Sequence, residues 1–229
     1  MKQLDPRLQL VAQMVDRGRL LVDVGTDHAY LPVYLVEQQI VPRGIASDLR
    51  KGPLAHAQSA VTQAGLQEQI ALRLSDGLDA IAPHEAECIV MAGMGGILIT
   101  QLIEKAPWLQ DATKTLVLQP MTDAPLLRSY LAEQGFAIVS ERATQDKKHV
   151  YTVIKAVYDG NKHTLSPLQA LVGGLDVTAG ESERAFLQKE ANALQKQGSG
   201  LTAAGKREEA NQVLDLHKQL TQWMNGGEQ

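Results

Sequence analysis

The stretch LLVDVGTDHAYLP at residues 20–32 constrains the fold of this chain more than any other segment. It opens with a run of Leu and Val, which is typical of a strand buried on both faces of a parallel sheet. Asp23 and Gly25 close that run, and an apolar helical pattern follows almost at once. The stretch predicts a strand, a tight turn and a helix, a unit in which backbone N–H groups at the helix start can meet a ligand.

The turn in this stretch has two interpretations. In the first, Gly25 lets the backbone approach a cofactor because it has no Cβ, and Asp23 holds a carboxylate at the end of a central strand. In the second, the segment is an ordinary turn in which Asp27 caps the helix. A dinucleotide fingerprint would need further glycines where this chain has Asp27 and Tyr30. The pattern therefore favours a cofactor without a pyrophosphate.

Strand and helix patterns alternate along the chain as far as residue 158. The predicted strands span residues 19–25, 44–49, 70–75, 88–92 and 115–118, and the predicted helices span residues 5–17, 30–40, 53–64, 97–105 and 124–134. Two more strand patterns, at residues 137–143 and 149–157, are separated by a polar turn and predict an antiparallel hairpin. Together these patterns predict an α/β fold with a Rossmann-like, mostly parallel, doubly wound sheet and one antiparallel edge.

The sequence changes character after residue 160. A short helix is predicted to start at Ser166, and two longer helical patterns at residues 181–197 and 202–224 are separated by Gly198-Ser199-Gly200. We expect a sheet domain over residues 1–159, followed by an α-helical hairpin or short coiled coil over residues 160–229. A hairpin that only packs on the sheet or dimerises is an equally open interpretation.

Acidic residues lie at the carboxyl ends of the first three predicted strands. They are Asp23, Asp48 and Asp76, and each alone is compatible with a helix cap or a solvated turn. Ligands bind at the carboxyl ends of the strands in open α/β sheets. Three acids in succession, beside Gly25 and Gly93, therefore predict a ligand site at that edge.

Composition excludes several classes of protein. The single cysteine, Cys88, rules out an internal disulfide and a cysteine-rich zinc site, and its apolar surroundings predict a buried thiol. No apolar run is long enough to cross a bilayer, and the charged N-terminus lacks a signal-peptide core. We expect a cytoplasmic protein without a metal and without membrane contact. The net charge of −4 does not indicate a nucleic-acid binder, although local basic patches can still bind phosphates.

Three segments, taken together, resemble a known family. They are DVGTDHAYLP at residues 23–32, MAGMGG at residues 91–96 and LQPM at residues 118–121. They are similar to the bacterial tRNA (adenine-22-N1)-methyltransferases of the TrmK family. The resemblance covers residues 5–158. The tail, residues 160–229, matches that family's coiled-coil extension in composition and length.

This resemblance implies a class I methyltransferase fold, S-adenosylmethionine as methyl donor and tRNA as substrate. Asp23, Gly25 and Asp27 match the first motif. Asp48 matches the acid that binds the ribose hydroxyls, where many relatives have the longer Glu. The full set of implied cofactor-binding residues is Asp23, Gly25, Asp48, Leu49, Asp76, Gly77 and Gly93. The N-P-P-Y motif of exocyclic amino methyltransferases is absent, which suits a ring nitrogen as the target.

The residues implied for catalysis are Asp27, His28 and Tyr30. The N1 lone pair of adenine needs no base before attack, so the enzyme has mainly to position the two reactants. Asp27 is a candidate for stabilising the cationic product, and His28 and Tyr30 are candidates for holding or stacking on the base. Helix capping by Asp27 and simple packing of His28 are the alternatives. Because N1 lies on the pairing edge, the target base must leave its stack.

RNA binding also requires phosphate contacts. The candidate cations are Arg7, Arg17, Arg19, Arg128, the Lys147-Lys148-His149 turn, Lys189, Lys196, Lys206 and Arg207. Three rival functions remain from the sequence: a methyltransferase with another substrate, a nicotinamide-dependent oxidoreductase, and a non-catalytic RNA-binding protein. The missing fingerprint glycines disfavour the oxidoreductase.

Overall fold

The computed structural model describes residues 3–226. The strands are β1 Leu21–Val24, β2 Gly44–Asp48, β3 Ile70–Leu74, β4 Cys88–Gly95, β5 Thr115–Thr122, β6 Phe136–Asp146 and β7 His149–Tyr158. The helices are α1 Pro6–Met14, α2 Tyr30–Glu37, α3 Lys51–Ala64, α4 Gly96–Glu104, α5 Ala124–Gln134, α6 Pro167–Val172, α7 Glu181–Ala203 and α8 Arg207–Met224.

The seven strands form one sheet in the order β3-β2-β1-β4-β5-β7-β6. β1 to β5 are parallel, whereas β7 is antiparallel to both β5 and β6. This confirms the predicted doubly wound sheet with an antiparallel edge. The strand order reverses between β1 and β4, which places a ligand crevice at their carboxyl ends.

Two apolar layers enclose the sheet. Successive side chains of a strand point to opposite faces, so Leu21 packs with α1, α2 and α3 while Val22 packs with α4 and α5. Cys88 lies fully buried in the first layer, as predicted, and burial raises the pKa of its thiol to about 12.

Two strands are longer than predicted. Residues 92–95 of β4 pair with residues 119–122 of β5, with register shifts around Met94. We expected β5 to stop at Leu118, before Gln119 and Pro120. Pro120 is accommodated because its partner position, Met94, lies at one of these irregularities, where the ladder is already interrupted.

The C-terminal helices pack on α5 and on the β6–β7 hairpin. Buried Leu171, Phe186, Leu187 and Leu220 form an apolar cluster with Ala124 and Ala143. α7 runs straight through Gly198-Ser199-Gly200, so the predicted break there is wrong. A Cβ on Gly198 would lie 2.5 Å from Leu214 Cδ2, which indicates that the glycine permits close approach of α8 rather than a turn.

A buried ion pair ties α6 to the sheet. Arg128 and Glu141 are fully buried, and Arg128 Nη2 donates to Glu141 Oε1 at 2.7 Å. Arg128 Nη1 also donates to the carbonyls of Ala170 and Leu171 at the end of α6. The prediction that Arg128 is a phosphate contact is therefore wrong, since every nitrogen of its guanidinium group is used inside the protein.

Candidate active site

The carboxyl ends of the parallel strands border a cleft of about 580 Å³. The loops after β1, β2 and β3 line it, together with residues 92–94 near the end of β4 and the start of α1. All of the residues assigned to catalysis or cofactor binding from the sequence lie on its walls: Asp23, Gly25, Asp27, His28, Tyr30, Asp48, Leu49, Asp76, Gly77 and Gly93. The structure thus brings the predicted residues together, while their individual roles stay predictions.

The turn after β1 is held from two sides. Thr26 Oγ1 donates to Asp23 Oδ2 at 2.6 Å, and the backbone N–H groups of Gly25 and Thr26 both donate to the carbonyl of Ser47. Gly25 has a φ of +71°, and a Cβ there would collide with the end of the Met94 side chain. The turn after β1 and the end of β4 therefore meet directly at the cleft.

Asp27 does not cap α2. The N-cap position is Ala29, and no side chain makes a cap hydrogen bond there. The capping interpretation is wrong, because Asp27 lies in the left-handed region at φ +53° with 64% of its side chain exposed on the cleft wall. His28 Nε2 lies 3.7 Å from Asp27 Oδ2. A non-glycine residue in the left-handed conformation costs free energy. Such strained residues are common where function constrains the backbone.

Asp23 is a buried carboxyl with a perturbed pKa. Burial raises the pKa of Asp23 from its ordinary value of 3.8 to about 7, and repulsion from Asp48 acts in the same direction. The hydrogen bond from Thr26 and the positive charge of Arg7 oppose the shift. A cation bound in the cleft would favour the ionised form of this carboxyl.

The loops after β2 and β3 are shaped by their own polar groups. Asp48 is buried, and its Oδ1 accepts from the backbone N–H of Arg50 at 2.9 Å. Ser75 Oγ donates to the carbonyl of Gly77 and accepts from the backbone of Ala80. This leaves the Asp76 carboxylate half-exposed at the cleft, 3.7 Å from Lys105 Nζ.

The irregular end of β4 is anchored by Gln119. This residue is fully buried, and its Oε1 accepts from Gly93 N at 3.0 Å and from Arg7 Nη1 at 2.8 Å. Arg7 is one of the candidate phosphate contacts, but its side chain lies against the cleft and is 20% exposed. Neither Arg7 nor Gln119 is among the residues predicted for the cleft. A polar amide at the end of an apolar strand was the one available signal.

Within residues 3–226, no group of three or more His, Cys, Asp or Glu side chains is arranged to hold a metal ion. In the same part of the chain, no helix has both the length and the apolar character needed to cross a membrane.

Comparison with known proteins adds a family to this geometry. The profile of the family described as "Methyltransferase domain" matches residues 4–154. The tRNA (adenine(22)-N(1))-methyltransferase of Bacillus subtilis (strain 168) is 33% identical over 192 residues, which are 84% of this chain and 78% of that protein.

Solved structures of methyltransferases are also similar to this chain. The Streptococcus pneumoniae putative tRNA (m1A22) methyltransferase in complex with S-adenosyl-L-methionine has a TM-score of 0.80 at 33% identity, covering 93% of this chain and 97% of that one. The B. subtilis m1A22 tRNA methyltransferase TrmK has a TM-score of 0.81 at 29% identity, covering 97% and 96% respectively.

Proposed function

The chain belongs to the methyltransferase family that includes the B. subtilis tRNA (adenine(22)-N(1))-methyltransferase, and from this we propose that it transfers a methyl group from S-adenosylmethionine to N1 of adenine 22 in tRNA. One observation carries the proposal. Asp23, Asp48 and Asp76 surround a single cleft at the strand-order reversal, in a chain that is similar to a structure containing S-adenosyl-L-methionine.

The cleft fits the methyl donor, whose sulfonium supplies an already activated methyl group. Asp48 accepts hydrogen bonds from the ribose hydroxyls, since a buried carboxylate is a strong acceptor. Leu49, which is 63% exposed, packs on the adenine ring together with the Asp76-Gly77 loop. Gly77 has a φ of +57°, and a Cβ there would collide with Leu102, so the loop depends on glycine.

Asp23 and Arg7 match the charged end of the donor. The amino-acid part of S-adenosylmethionine carries an ammonium and a carboxylate. The buried Asp23 carboxylate favours the positive group, and the Arg7 guanidinium lies close enough to Asp23 to lower its pKa. This pair of opposite charges at one end of the cleft orients the donor so that its methyl group faces the target.

The target adenine is held at the other side of the turn after β1. Asp27, exposed on the cleft wall, stabilises the positive charge that develops on the adenine ring or accepts from its amino group. Tyr30 stacks on the base and His28 holds the Tyr30 ring in place, since both rings line the cleft and stack on each other. No residue needs to remove a proton before attack, because the N1 lone pair is free.

The tail is assigned to tRNA binding. We divide the chain into a donor-binding domain over residues 1–159 and a helical extension over residues 160–229. The extension has seven Lys and Arg against eight Asp and Glu, so any attraction to RNA comes from cations grouped on one face. Lys189 and Lys196 are exposed on α7 and lie about two turns apart, which places them on the same side of the helix.

Labelled methyl transfer tests the function. Unmodified tRNA is incubated with the protein and S-adenosylmethionine carrying a labelled methyl group, and nucleosides are then separated by mass spectrometry. We expect label in 1-methyladenosine. Label in another nucleoside, in a protein or in a small molecule would support the rival substrate classes, and an absence of transfer despite donor and tRNA binding would support the non-catalytic alternative.

A further inference from the structure

Three aromatic rings form a ladder beside the cleft. The His28 ring stacks on Tyr30 with centroids 5.0 Å apart and planes 5° from parallel. The same ring stacks on His56 of α3, with centroids 4.7 Å apart and planes 7° from parallel. His28 is thus the middle rung, and the exposed His56 is an outer one. Neither the family resemblance nor the donor site gives His56 a role.

A second cleft lies between α2 and α3 and shares this ladder as a wall. Its volume is about 490 Å³, within the range of small-molecule pockets, and His28 and Tyr30 line both this cleft and the donor cleft. Glu37 and Gln63 also line it. Among residues 3–226, neither of their side chains makes a hydrogen bond or an ion pair.

The charges around the second cleft fit a nucleotide. Arg50 and Lys51 are exposed at the start of α3, less than two turns before His56, and Arg50 also lines the donor cleft. These cations can contact the phosphates of a strand that passes from one cleft to the other. Glu37 repels phosphate, but its carboxylate is a good acceptor for a nucleobase amino or imino group.

We propose that the cleft between α2 and α3 binds a second nucleobase of the RNA substrate, next to the target, with His56 as its stacking surface. This inference rests on the proposed function, since it needs an RNA whose target base has left its stack. The ladder then separates two bases: the target lies against the Tyr30 and His28 side, and its neighbour lies against His56. Glu37 and Gln63 bind the pairing edge of the neighbour.

Substitution of His56 tests this site. We expect His56→Ala to raise the KM for tRNA about tenfold, because stacking of a base on an aromatic ring contributes substantially to binding. Turnover at saturating tRNA and donor affinity should stay at the wild-type level. His56→Phe keeps a flat ring and should restore the KM. His84→Ala, at an exposed histidine outside both clefts, is the matched control and should change nothing.

Several outcomes would overturn the inference. One is a KM for tRNA that is unchanged in His56→Ala, and another is a loss of donor affinity as large as the loss for tRNA, which would assign the ladder to the donor cleft. Equal loss in His56→Phe and His56→Ala would exclude stacking. If the wild-type protein methylates no tRNA, the proposed function itself fails, and binding of tRNA to the full chain saturated with S-adenosylhomocysteine then tests the site independently.

Discussion

Arg7 in the first helix and Gln119 at the end of β5 are joined across 112 positions of sequence by a 2.8 Å hydrogen bond from Nη1 to Oε1. The same oxygen accepts from the backbone of Gly93. A single buried amide therefore connects α1, β5 and the end of β4, the last of which borders the donor cleft. The position of the end of β4 depends on a residue that lines no wall of the cleft itself.

Replacing this amide should loosen the donor site. Gln119→Leu keeps most of the side-chain volume but removes the acceptor for Arg7 and Gly93. We expect donor affinity to fall by about 1 kcal/mol for each lost hydrogen bond, measured by calorimetric titration with S-adenosylhomocysteine. Gln110→Leu, at an exposed glutamine, is the control. Wild-type affinity in a folded Gln119→Leu protein would show that the end of β4 needs no such anchor.

Asp48 should contribute more than a neutral hydrogen bond. Asp48→Ala removes a charged acceptor for the ribose hydroxyls, which should weaken donor binding by roughly 1.5–3 kcal/mol. The same titration measures this loss, with Asp215→Ala on α8 as an exposed control. An affinity that does not change would place the ribose elsewhere in the cleft.

Asp23 should make the stability of the protein depend on pH. Its pKa is about 7 in the folded state and 3.8 ordinarily, so the fold favours the protonated carboxyl. Its stabilising contribution is complete below pH 4 and is lost as the pH rises to 7. Asp23→Asn stays neutral, so its melting temperature relative to wild type should rise between pH 5 and pH 8, while donor affinity falls. A pH-independent difference in melting temperature would contradict the assignment.

Asp27 should act on turnover rather than on donor binding. Asp27→Asn removes the negative charge, and asparagine tolerates the left-handed conformation at this position. We expect kcat to fall on the order of tenfold, with donor affinity nearly unchanged. A collapse of donor affinity in the titration would instead make Asp27 part of the donor site.

Local patterns in the sequence were sufficient to predict the sheet and the walls of the cleft. Asp23, Asp48 and Asp76 each lie at the carboxyl end of an apolar strand, and the carboxyl ends of parallel strands necessarily share one edge. The pattern could not predict that Ala29 rather than Asp27 is the N-cap of α2, because this depends on the left-handed backbone of both residues.

Contacts between distant segments of the chain could not be predicted from the sequence. Nothing in the residues around Gln119 indicates that Arg7 is its partner, and nothing around Arg128 indicates the buried Glu141. The same holds for Gly198. Its local sequence predicts a helix break, but the residue is helical and Leu214 packs against it. In each case tertiary packing determines the role of the residue.

The buried Arg128 determines how the proposed role of residues 160–229 in tRNA binding can be tested. A chain that ends near residue 160 loses the carbonyls of Ala170 and Leu171, and with them two partners of a fully buried guanidinium group. Such a truncation would expose the apolar cluster shared with α7 as well. Substitution of exposed Lys189 and Lys196 in the full chain avoids both effects.

The most direct test of the account compares two tRNA transcripts that differ only at position 22. One carries adenine there and the other carries guanine, and each is incubated with the full chain and labelled S-adenosylmethionine before the modified position is mapped by mass spectrometry. We predict 1-methyladenosine at position 22 of the first transcript and no label in the second. Equal labelling of both transcripts, or label at any other position of the first, would contradict the proposed activity.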